Sequence, residues 1–232
     1  MKRVGHKGAD LIVPGNSRES FDAALGAGVD MIEFDVLPER RGGGGRLVMA
    51  HDYHHVGRDV LTLADGLDHL ASDAFAGIEL DVDLKIPGYE LAVLDALRAR
   101  ELVERTLVSS QYRESLALLR AAEPELRLGW SVPKLRGDPF AWPPLRPAAA
   151  AAVAFGQAVL PRRAAAALRA GACDALMVQW RLVTRALVEA IDGAGGELYV
   201  WTVDDVETMR RLSALGVHGV ISNDPRLFAT VV

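Results

Sequence analysis

The segment IELDVDLKI, residues 78–86, sorts its side chains by chemistry. A β-strand sends alternate side chains to opposite faces, so Glu79, Asp81, Asp83 and Lys85 share one face while Ile78, Leu80, Val82, Leu84 and Ile86 share the other. The segment MIEFDV repeats the pattern, with Glu33 and Asp35 on one face and Ile32, Phe34 and Val36 opposite. Two carboxylates from one strand and one from the next form a hard oxygen donor set of the kind that suits Mg²⁺ or Ca²⁺. The structural alternative is a salt-bridge network closed by Lys85. His6 and His51 each follow strand-like segments. Histidine exchanges protons near neutral pH, so this pair is able to supply the acid and base that break a phosphate ester. His54, His55, His69 and His218 show no such convergence and read as solvated or structural.

Short apolar or β-branched runs must hold these groups. Eight are visible, at residues 3–5, 31–37, 78–86, 106–109, 127–132, 175–179, 198–203 and 218–222. Helical patterns alternate with them at 18–26, 91–100, 112–122, 164–170, 184–194 and 206–215, with a further one around 62–70. This rhythm predicts a parallel sheet with crossover helices, and eight strands predict closure into a (β/α)8 TIM barrel. In a barrel the face away from the helices is the lumen. Charges there are costly unless they pair or bind an ion, which favours the functional reading of the acidic face. Residues 38–49, with Gly42 to Gly45 and then an apolar run, predict a small hairpin excursion after the second strand. The Pro-rich stretch 133–147 reads as a loop or cover over one end of the barrel.

The chain is 232 residues long, half of them hydrophobic and a quarter charged, which predicts one folded domain spanning 1–232. A net charge of −5 and the lack of a Lys/Arg-rich run argue against nucleic-acid binding. No segment has the make-up of a signal peptide or a transmembrane span, so a cytoplasmic protein without stable membrane insertion is expected. The lone Cys173 reads as a small core residue.

The motifs GHKG at 5–8, PGNS at 14–17, GVDMIEFDV at 28–36, LVMAHD at 47–52, LDVDLK at 80–85, LVSS at 107–110, VWTVDD at 200–205 and GVHGVISNDP at 216–225 occur in an ordered series. Together they resemble the glycerophosphodiester phosphodiesterase family along nearly the whole chain. The resemblance implies a metal-dependent phosphoric diester hydrolase of lipid and glycerol metabolism. It would cleave a glycerophosphodiester to an alcohol and sn-glycerol 3-phosphate. It also implies that His6 and His51 are the acid and base, and that Glu33, Asp35 and Asp83 bind the divalent metal. Lys7 and Lys85 would contact phosphate and Trp201 would line the substrate pocket, although core packing also accounts for a tryptophan in an apolar strand.

The chain departs from the family pattern at three positions. Lys7 stands where arginine is usual and loses the bidentate fork, Gly15 stands where a supporting glutamate is common, and Asp83 replaces a longer glutamate. Two other readings follow: a related phospholipase acting on lysophospholipid or sphingolipid head groups, and a barrel that binds phosphate or metal without turnover. The lack of a signal sequence or apolar surface helix weighs against the first, and the retained histidines and acids against the second. Only 30 residues separate Asp52 from Asp83, too few for a cap beside the helix expected there. An open, shallow mouth with little discrimination among alcohols is therefore expected, unless 133–147 folds across it with Phe140 or Trp142.

Overall fold

The computed structural model describes residues 1–42, 44–57, 59–133 and 139–231. Eight parallel strands close a barrel. They are β1 (Lys2–Gly5), β2 (Met31–Pro38), β4 (Glu79–Leu84), β5 (Thr106–Ser110), β6 (Arg127–Val132), β7 (Ala175–Gln179), β8 (Glu197–Trp201) and β9 (Gly219–Ser222), with β9 and β2 both pairing β1. The ninth strand, β3 (Leu47–Met49), pairs antiparallel with β2 and forms the predicted hairpin excursion. Among the described residues seven α-helices cross between strands: α1 (Arg18–Gly26), α2 (Leu63–Leu70), α3 (Glu90–Arg98), α4 (Arg113–Ala122), α5 (Arg146–Arg169), α6 (Arg185–Asp192) and α7 (Val206–Leu215).

Local chemistry sets several of these boundaries. The side chains of Ser17, Thr62, Thr184 and Asp205 accept hydrogen bonds from backbone N–H groups in the first turns of α1, α2, α6 and α7, satisfying donors with no helical partner. Gly216 ends α7 at φ +88, a left-handed conformation that glycine adopts without a Cβ clash. The outward faces of the strands meet the helices in the main core, which includes Ile32, Phe34, Leu80, Val82 and Val108.

The lumen is filled in layers. At its base, Lys2 Nζ lies 2.5 Å from Glu79, and Arg127 bridges Glu79 at 2.6 Å and Glu197 at 2.5 Å. Above this sit Val4, Met31, Leu107, Ala175, Met177, Tyr199 and Ile221. That layer is tight: a Cβ on Gly129 would lie 2.8 Å from Leu107 Cδ2 and 3.0 Å from Met177 Cγ. The acidic residues of β2 and β4 emerge over this apolar layer, at the carboxyl ends of the strands.

One helix differs from expectation. Residues 164–170 were expected as a short helix after a Pro-rich loop, but α5 begins at Arg146 and runs 24 residues. Pro147 falls in its first turn, where a missing N–H removes no helical bond, and alanine favours helix. Pro161 is carried inside the helix. Of the expected cover, Lys134–Asp138 lie outside the described residues, while 139–141 and 143–145 form short 3-10 turns leading into α5.

Candidate active site

Register brings the acids together. In the β2–β4 pair Glu33 stands opposite Asp81 and Asp35 opposite Asp83, so strand pairing stacks four carboxylates at one end of the lumen. One oxygen from each of Glu33, Asp35 and Asp83 lies within 4.8 Å of the others. Glu33, Asp35 and Asp81 are buried, and Lys85 sits among them. Its Nζ pairs with Asp83 Oδ2 at 2.5 Å and makes an ion contact with Asp35 Oδ1. The predicted metal ligands and the predicted salt-bridge alternative therefore share one place.

One lysine does not balance four acids. Among the described residues, Asp81 Oδ1 and Asp83 Oδ1 are buried without a hydrogen-bond donor, and Asp35 Oδ1 meets only the ammonium of Lys85. Burial, then the charge on Asp35, raises the Glu33 carboxyl well above the usual range. Burial, then Asp83, pushes Asp81 up to about 8 against the opposing Ser109 hydroxyl. Burial acts on Asp35 in the same direction, but the charges of Lys85, His51 and His6 overcome it and hold Asp35 below the usual range. Burial lowers Lys85, whereas Asp35, Asp83 and Glu33 raise it further, so the ammonium stays charged. Buried oxygens with no donor and acids raised by one another are what a cation would relieve. The donor set fits a hard divalent ion.

His6 follows β1 and is fixed from across the barrel. Its Nδ1 lies 2.5 Å from Asn223 Oδ1, and Asp204 accepts from both the Asn223 amide, at 2.7 Å, and its backbone N–H, at 2.8 Å. The Asn223 amide nitrogen is thus engaged elsewhere, so its oxygen faces the ring and places the imidazole proton on Nδ1. His6 Nε2 is left as a proton acceptor, 3.8 Å from Glu33 Oε2. Burial lowers the His6 pKa, against the charge of Asp35. His51, after β3, is half exposed, with Nδ1 3.5 Å from Asp52 Oδ2.

His6, Glu33, His51, Asp83, Lys85 and Trp201 border a common cavity of about 650 Å³. Asp35 lies beneath it. Trp201 both packs on the apolar lumen layer and faces this cavity, so the two readings of that residue are compatible. Lys7 turns into an adjoining cleft of about 570 Å³, which shares His51 with the first, and its Nζ lies 3.0 Å from Asp10. The Lys7 backbone N–H donates to Glu33 Oε2 at 2.8 Å. His55 borders this cleft too and lies 2.8 Å from Asp52.

Several supporting residues escaped sequence reasoning. Asn16 Nδ2 donates to Asp35 Oδ2 at 2.8 Å while its Oδ1 accepts from the Asp35 backbone N–H at 3.0 Å. Asn16, Asp204 and Asn223 lie within quoted motifs, but no spacing marks their partners. Asp81 was visible on the acidic face, yet only the register shows it opposite Glu33. Asp10 explains Gly15: a Cβ there would lie 2.6 Å from both Asp10 Oδ1 and Lys7 Cβ. The Asp10 carboxylate occupies that space and accepts from the Gly15 N–H at 2.8 Å.

The mouth also differs from the shallow one expected. Among the described residues between Asp52 and Asp83 stand α2, a 3-10 turn and the start of β4, with no cap. The opposite side is walled by Phe140, the first half of α5 and the turn at Trp180–Leu182, which deepen the cavity. Trp142 points outward and is 68% exposed.

Comparison with known proteins agrees with this geometry. Residues 50–227 match the Glycerophosphoryl diester phosphodiesterase family. A curated glycerophosphodiester phosphodiesterase from Caldanaerobacter subterraneus subsp. tengcongensis is 24% identical, over 99% of this chain and 96% of its own. The fold resembles a crystal structure described as a putative glycerophosphoryl diester phosphodiesterase from Silicibacter pomeroyi, with TM-score 0.76 and 21% identity over 98% of this chain and 91% of that one. It also resembles an Oleispira antarctica phosphodiesterase solved with the product sn-glycerol-3-phosphate, with TM-score 0.74 and 18% identity over 100% and 96%. With more than half its length matched, the chain belongs to the glycerophosphoryl diester phosphodiesterase family.

Proposed function

We propose that the protein hydrolyses glycerophosphodiesters at the cavity between His6, His51 and the acidic cluster, releasing an alcohol and sn-glycerol 3-phosphate. The convergence of Glu33, Asp35 and Asp83 beside the two histidines carries this reading, and family membership agrees with it. Glu33, Asp35 and Asp83 would hold the divalent ion, and oxygen-only donors favour Mg²⁺ or Ca²⁺. Bound there, the ion supplies a Lewis acid that neutralises phosphate charge.

The side chains divide the remaining work. His6 Nε2, with its proton held on Nδ1 by Asn223, accepts the proton of the attacking oxygen. His51, which borders the same cavity, protonates the departing alcohol oxygen. Lys85 from the floor and Lys7 from the adjoining cleft add positive charge where the phosphate gains negative charge. Asn16 orients Asp35, and Asp10 orients Lys7. Trp201 packs against the bound substrate. The substrate is a small molecule, and an acidic chain offers no general attraction to nucleic acid. No described helix is long and apolar enough to cross a membrane. A cytoplasmic setting is compatible with the lone buried Cys173, which has no partner for an intramolecular disulfide.

Turnover of glycerophosphocholine tests the proton assignments. His6→Ala and His51→Ala should each lower kcat by about 10²–10⁴-fold with the fold intact by circular dichroism. Near-normal turnover in both variants would exclude the mechanism.

A further inference from the structure

Among the described residues seven large apolar side chains are exposed, and three of them, Trp142, Leu145 and Phe155, lie in one segment at the head of α5. Trp142 and Phe155 are the only aromatics of the seven, and Phe155 is 71% exposed. From Pro139 to Cys173 the chain holds Arg146, Arg162, Arg163 and Arg169 but no acidic residue, although its net charge is −5. From this apolar segment, charged with one sign only, we infer that the rim of the mouth at α5 docks on an anionic phospholipid bilayer. The surface lies outside the cavity, and its assignment is independent of the hydrolase reading.

Local structure holds these side chains outward. Two short 3-10 turns, at Pro139–Ala141 and Pro143–Leu145, carry Trp142 and Leu145 to the start of the helix. The Leu145 N–H donates to the Trp142 carbonyl at 3.0 Å, and Arg146 Nε donates to the Phe140 carbonyl at 3.0 Å. Along α5, Ala148, Ala151, Phe155 and Ala158 are exposed at spacings of three and four, which places them on one face. Ala149, Val153 and Gly156 border the cavity from the other side of the helix. Arg162 and Arg169 continue the exposed face and Arg163 stands beside it. None of these three arginines pairs with an acid among the described residues.

Exposed apolar area is relieved by whatever covers it, and the arginines decide between partners. A symmetric contact with a second copy would set arginine against arginine, with no acid in the segment to answer them. An anionic bilayer supplies what the segment lacks: an interfacial layer that accepts tryptophan and phenylalanine rings, and phosphates that match the guanidinium fork. No described helix is long and apolar enough to cross a membrane, so the contact lies along the bilayer surface. No apolar surface helix is expected from the sequence, yet the first half of α5 is one. Alanine hid it, because an alanine face contrasts little with its neighbours. The inner side of that same half walls the cavity, so docking its outer side sets the mouth beside the lipid surface.

The test is co-sedimentation of the full chain with vesicles, either of phosphatidylcholine alone or of phosphatidylcholine and phosphatidylglycerol at about 2:1. Partition onto the mixed vesicles should be at least about tenfold stronger and should weaken as salt is raised. Phe155→Ser and the double variant Arg162→Glu/Arg163→Glu should each lower it at least about tenfold, with the fold intact by circular dichroism. Both should turn over glycerophosphocholine like wild type in vesicle-free solution. Equal partition onto the two kinds of vesicle, no partition onto either, or partition that neither variant weakens would overturn the inference. So would a dimer by light scattering that Phe155→Ser converts to monomer, since a second copy would then occupy the rim. Each of these results leaves the hydrolase reading in place, whereas vesicle binding without turnover would sink that reading and leave the docking surface.

Discussion

Gly15 is the departure that bore most heavily on the expectation of a working site, because a supporting glutamate is common at its position. Its geometry reverses the concern, since Asp10 places a carboxylate where a side chain at 15 would have to pass. Gly15→Glu should therefore destabilise the protein by about 1–3 kcal/mol through overpacking. The double variant Asp10→Gly/Gly15→Glu should recover only part of that loss in a denaturant titration, because Lys7 Cβ still lies 2.6 Å from a Cβ at 15, whereas an undisturbed Gly15→Glu single variant would refute the account. Side chains two apart on strands were legible because their period is fixed by the backbone, which is how Glu33, Asp35, Asp83 and Lys85 were read as lumen groups. Contacts across the chain were not legible. Asn223 reaches His6 over 217 residues, and a sequence carries no spacing rule for such a pair.

Elements were legible where their pattern repeats and obscure where composition is uniform. Strands β6 and β7 and helices α1 and α7 fall where periodicity and capping residues place them. The first half of α5 does not, since alanine and proline there gave neither a helical stripe nor a strand alternation. Alternation also showed that Glu79 faces the lumen, without separating it from the acids above. The barrel separates them by height. Glu79 belongs to the base, where burial would raise its pKa, but hydrogen bonds from Lys2 and Arg127 prevail and hold it below its ordinary 4.5. A depressed carboxyl stabilises the folded state above its unfolded pKa, and that contribution is lost as pH falls through the folded value. Glu79→Gln should thus cost about 1.5–3 kcal/mol at pH 7, the range for hydrogen bonds to a charged group. The difference from wild type should narrow as pH falls below the unfolded carboxyl value of about 4.3 and close as the native carboxylate protonates. Thermal unfolding from pH 7 to 3 checks this, and a difference that persists at low pH would assign the loss to packing instead.

The whole molecule places opposite demands on the two ends of one lumen. At the base, Lys2 and Arg127 answer Glu79 and Glu197, while at the mouth a single Lys85 faces Glu33, Asp35, Asp81 and Asp83. A balanced network supports a fold, whereas an excess of buried acid is destabilising unless a cation joins it. The barrel and its hairpin were legible because eight strand runs alternate with helices. The depth of the mouth was not, because it depends on where α5 lies. The central claim is that the excess acid at the mouth is a divalent-metal site serving phosphodiester hydrolysis. The most direct measurement is glycerophosphocholine turnover by the protein stripped with chelator and then titrated with Mg²⁺ or Ca²⁺. Stripping should lower kcat/KM at least about a hundredfold, equivalent to about 2.7 kcal/mol of transition-state stabilisation, and one of the two ions should restore it. Full turnover by the metal-free protein would contradict the claim and leave Lys85 as the only positive charge these acids require.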